Sequence, residues 1–159
     1  MTFISGLLSI AAVALAAVVL LPAGKAQAAQ SNAASIVVPS SLPFESVQKK
    51  VQSSLAEKNI QVFSLIDHAA NAAHAGMNMP PATVIVFGNP AVGTKLMLAF
   101  PAMALELPLK ILIWQDAQGK VWLSYPNLKQ IAASYGAAEH PVVAGMSALL
   151  EDIAQKSTH

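Results

Sequence analysis

Apolar and polar positions alternate in two distinct rhythms along this chain. Between Thr83 and Tyr125 the sequence TVIVFGNPAVGTKLMLAFPAMALELPLKILIWQDAQGKVWLSY reads as strand, capped helix, strand, tight turn and strand. Thr83 to Phe87 is a β-rich run. Asn89 then supplies a helix N-cap and Pro90 the first helical position. That helix runs to about Phe100, and Pro101 stops it. Pro108 opens a strand over Leu109 to Gln115. Asp116-Ala117-Gln118-Gly119 is a turn in which Gly119 takes the left-handed backbone of a bulged hairpin. Lys120 to Tyr125 is the returning strand, in a register that sets Trp114 opposite Trp122.

The flanking segments extend the pattern. Ser35 to Val38 is a short β-branched strand. A helix starts within Ser40 to Pro43, with Pro43 at its first position and Glu45 suited to the positive end of its dipole. Phe44, Val47, Val51 and Leu55 make one apolar stripe, and Lys49, Lys50, Glu57 and Lys58 lie off it. The helix ends near Asn59. Ile60 to Ile66 is a strand, and Asp67 to Ala75 a short Ala-rich helix with Asp67 as N-cap and Gly76 as its stop. Pro126 to Tyr135 and Glu139 to Lys156 are the last helices. The order β-α-β-α-β-α-β-β-α-α predicts a two-layer α+β fold: a five-stranded mixed or antiparallel sheet with its helices mainly on one face. Ile85, Phe87, Ile111, Ile113, Val121 and Leu123 are the expected core.

Composition narrows the setting. The chain has 159 residues, enough for one domain. Gly6 to Leu21 is an almost unbroken apolar run, and Ala26-Gln27-Ala28 follows as a small-x-small site, the pattern of a secretory signal peptide over residues 1–28. The alternative is an uncleaved anchor, although the run is shorter than the roughly 20 residues of a spanning helix. Residues 29–34 read as a flexible leader and 35–159 as the domain, placed in the periplasm or secreted; it meets a membrane only if the leader is not cleaved. Without Lys25 the mature chain has eight Lys against eight acidic residues, and Arg is absent throughout. A neutral surface without Arg excludes nucleic acid as an expected partner. Cys is absent, so the domain must hold together without disulfides.

The runs IDHAANAAHAG, PATVIVFGNPAVGTKLM and LELPLKILIWQDAQGKVWLSY resemble the bacterial domain of unknown function 302 family over roughly Ser35 to Gly136. The resemblance implies a small α+β domain that often pairs as a homodimer, and it implies no activity. Many members carry Asn-Asp-Pro and Arg-His-Gly after the last strand. Here Pro126-Asn127 and Ser134-Tyr135-Gly136 stand there, which puts any site that depends on that His in question.

Three segments could carry chemistry, the first of them, Asp67 to Met79, in two ways. Asp67, Asn71 and His74 fall on one face of a helix, where they could bind a polar ligand or position a base; as ordinary residues they are a cap, a solvated amide and a C-terminal imidazole. His68, His74, Met77 and Met79 suggest copper(I), which soft thioethers select. Against that, His68 and His74 lie about 240° apart on a helix, and the methionines would as readily fill core gaps. Gly88-Asn89-Pro90 with Gly93 and Thr94 could bind an anion at a helix start, or simply cap and pack that helix. Glu106 and Lys110 flank Pro108, as an ion pair or as the lining of a cleft. The leading expectation is an exported binding or interaction module for a small ligand, with no cofactor. One alternative is a small enzyme with Asp67 or His68 as base and Glu106 as acid in one cleft; the other is a copper-binding periplasmic protein.

Overall fold

A computed structural model describes residues 34–159. The apolar run, the cleavage site and residues 29–33 of the leader lie outside the described residues.

The five strands are β1 (Ser35–Pro39), β2 (Gln61–Asp67), β3 (Ala82–Gly88), β4 (Leu109–Gln115) and β5 (Val121–Pro126). They form one open sheet in the order β1-β5-β4-β3-β2, antiparallel at every junction. The helices are α1 (Phe44–Glu57), α2 (His68–His74), α3 (Pro90–Ala99), α4 (Leu128–Ser134) and α5 (Pro141–Thr158).

Alternation along the strands decides which face is covered. Ile85, Phe87, Ile111, Ile113, Val121 and Leu123 all point to the helical layer and are buried, as expected from sequence. Val47, Val51 and Leu55 of α1 close over them, with Leu96 of α3, Leu128 of α4 and Val143, Leu150 and Ile153 of α5 in the same core. The opposite face carries the half-buried Val84, Val86, Leu112, Trp114 and Trp122. Trp114 pairs with Trp122 as predicted. Their rings stack with centroids 6.0 Å apart and planes 19° from parallel. Each indole N–H has a partner: Ser124 Oγ at 3.1 Å for Trp114, and Asp116 Oδ2 at 2.9 Å for Trp122.

Three local expectations shift. Pro43 is the N-cap of α1 rather than its first helical residue. Ser40 Oγ accepts the Leu42 N–H at 2.9 Å, and the turn it closes keeps the chain extended through Pro43. After α3 the chain does not run directly to β4: Pro101–Leu105 forms a turn of 3-10 helix that buries Met103. Finally, β2 carries a bulge between Val62 and Ser64, which leaves Phe63 with no residue opposite it on β3. No Gly or Pro marks that bulge in the sequence.

Candidate functional site

A cavity of about 640 Å³ opens where α3 begins. Five segments meet there: the end of α1 with Lys58 and Ile60, the β2 bulge with Phe63, the start of α3, the Leu107-Pro108 link, and α5 with Gly145, Met146 and Leu149. The sequence builds its floor from small residues. A Cβ on Gly88 would stand 3.2 Å from Phe63 Cε2, so a larger residue would push that ring from its place. The lining is predominantly apolar, and its volume suits a small organic molecule.

Asn89 fixes the start of α3. Its Oδ1 accepts the Ala91 N–H at 3.0 Å, and its carbonyl accepts the N–H groups of Val92 and Gly93 at 3.0 and 2.9 Å. The donors of this turn are therefore partnered within the chain, and the predicted cap is formed. Asn89 and Thr94 both line the cavity.

The other candidates lie elsewhere. Asp67 pairs across the sheet with Thr83, whereas Gln61 pairs with Gly88 at the cavity end. Six residues of ladder, about 20 Å, separate the two positions. Asp67 caps α2 by accepting the Ala70 N–H at 2.9 Å. That helix buries no residue, and His68, Asn71 and His74 are exposed on it. Glu106 turns away from the cavity and accepts the Tyr135 hydroxyl at 2.8 Å. This carboxylate, and then burial, push the Tyr135 phenol above its ordinary pKa. A cleft uniting Asp67, His68 and Glu106 is not formed.

The expected Glu106–Lys110 ion pair is not formed either. Glu106 precedes β4 and faces α4, while Lys110 is exposed on the uncovered sheet face, opposite in alternation to buried Ile111. Met77 and Met79 do not fill the core; both are exposed, because α2 and the segment after it lie outside the packed layer. Among the described residues, no group of three or more His, Cys, Asp or Glu could hold a metal ion.

Lys58 is the residue that sequence reasoning passed over. Its Nζ stands 2.8 Å from Asp152 Oδ2, while Lys156 Nζ stands 2.8 Å from Oδ1. The Lys156 ammonium, and then that of Lys58, hold the Asp152 carboxyl below its usual range. Asp152 lies 94 positions along the chain from Lys58, and no local pattern links them.

The family described as "Domain of unknown function DUF302" matches this chain over residues 36–156. The chain belongs to the DUF302 family. Its fold is similar to the crystal structure of an uncharacterized conserved DUF302 protein from Bacillus stearothermophilus, with a TM-score of 0.69 and 14% identity, covering 77% of this chain and 97% of that one. At that identity the likeness speaks to the fold alone. A stretch of 76 residues, 48% of this DUF302 chain, is 41% identical to "Fluoride-specific ion channel FluC 1" of Brucella suis biovar 1 (strain 1330), and equally to FluC 1 of Brucella abortus biovar 1 (strain 9-941). The match spans 30% and 28% of those proteins, under a third of the length of these curated relatives.

Proposed function

We propose that this DUF302 domain is an exported binding module of the cell envelope, periplasmic or secreted, that holds a small organic ligand in the cavity beside α3. The observation that carries this reading is the cavity itself: about 640 Å³, lined mainly by carbon, with a few polar groups at Lys58, Asn89 and Thr94. The apolar run and small-x-small site ahead of the domain support export. The stretch shared with proteins named for a membrane channel also supports a place at the envelope. Fluoride conduction is not part of the proposal. The shared stretch is a minor part of those proteins, and among the described residues no helix is long and apolar enough to cross a membrane.

Pairing of two copies belongs to the same proposal. β2 is an edge strand, and it exposes Phe63, Leu65 and Ile66 beside its outward backbone groups.

Nile red, an uncharged solvatochromic dye, tests the cavity. It should bind saturably, one per chain, with a blue-shifted emission. A Cβ on Gly145 meets nothing within 4 Å, so Gly145→Leu is accommodated by α5 and reaches across the cavity mouth. That variant should bind the dye at least about tenfold more weakly. Unsaturable dye uptake, or a Gly145→Leu variant that binds like the wild type, would count against the reading.

A further inference from the structure

We propose that the occupant of this cavity is an amphipathic carboxylate, with an apolar body of about ten carbons and one anionic head that meets Lys58. This rests on the binding reading above and adds the charge of the ligand. Lys58 is the charged residue of the cavity lining, and no carboxylate lines it. An apolar cavity with one cation in its wall complements a single negative charge. A purely apolar occupant would instead leave the ammonium donors not taken by Asp152 facing carbon.

Lys58 can meet such a head without leaving Asp152, because an ammonium carries three donors. Its Nζ stands 2.8 Å from Asp152 Oδ2, an atom buried from solvent, and that ion pair takes up one side of the ammonium. Asp152 Oδ1 has its own cation in Lys156, one helical turn away on α5. A ligand carboxylate would share Lys58 with Asp152, so the buried Oδ2 keeps its cation. Phe63, Val92, Met97, Met146 and Leu149 would surround the apolar body, and the two flexible Met side chains can adapt to its shape.

Competition against Nile red on the purified full chain tests this, with sodium decanoate and uncharged 1-decanol as the paired probes. Decanoate should displace the dye at a concentration about tenfold below that of decanol. Lys58→Met should raise the decanoate value to that of decanol and leave decanol unchanged. Asp152→Asn removes the competitor for Lys58 and should tighten decanoate; a variant with a damaged fold would weaken both probes. Equal displacement by the two probes, unchanged in Lys58→Met, would overturn the carboxylate inference while the binding reading stands. If Nile red itself shows no saturable binding, both fail together.

Discussion

Asp116 closes the β4–β5 hairpin with both of its oxygens. Oδ1 accepts the N–H groups of Gln118 at 3.0 Å and Lys120 at 2.9 Å, and Oδ2 accepts the Trp122 indole. The Trp122 bond first, opposed by desolvation and helped by the Lys120 and Gln118 backbone bonds and the Lys120 charge, holds its pKa below the ordinary 3.8. A carboxyl with a lowered folded pKa contributes stability that is complete above the unfolded value and is lost as pH falls through the folded one. Asp116→Asn should therefore be less stable than wild type in urea at pH 7, and the gap should narrow below pH 3.8. A gap independent of pH would show that the carboxylate charge is irrelevant to the turn. This turn and its tryptophan pair were legible in the sequence because every participant lies within nine positions, from Trp114 to Trp122. The role of Lys58 was not, since it depends on a helix at the far end of the chain.

Of the helices that begin with a side-chain cap, α3 and α2 differ in what they hold. Asn89 caps α3, which buries Leu96 and Gly93 and walls the cavity. Asp67 caps α2, which buries nothing. Asn89→Ala should lower the global unfolding free energy by about 1 kcal/mol, a usual loss for an N-cap. Asp67→Ala should leave it within about 0.5 kcal/mol and instead speed amide exchange over Ala70 to His74, because a helix without a buried face frays locally. Denaturant titration and hydrogen exchange measure the two quantities, and the reverse order of effects would refute the argument. Both caps were visible as short local patterns. What the chain did not advertise was burial: an Ala-rich segment with His and Met looks alike whether it packs inward or hangs outside. The β2 bulge was hidden for a related reason, since Val62-Phe63-Ser64 has ordinary strand chemistry and only pairing with β3 reveals the extra residue.

At the scale of the whole molecule, the two-layer α+β architecture and its core were largely readable, because period-2 and period-3.6 patterns report directly on which side is covered. The cavity was less so. Asn89 and Thr94 were named from the helix start, but the α5 wall comes from packing against segments more than 30 positions away in the chain. Edge pairing of two copies through β2 is a proposal at this scale. Sedimentation should give a dimer for the wild type and a monomer for Leu65→Lys, which places a charge on an apolar edge. A wild-type monomer, or a dimer untouched by that substitution, would locate any association elsewhere.

The stacked indoles have a practical consequence. They sit on the bare side of the sheet, and Trp114 is paired with Ala82, the end of β3 away from the cavity. Native tryptophan emission is thus a gauge of hairpin unfolding and of anything that settles on that side, and cargo in the cavity leaves it dark to the observer.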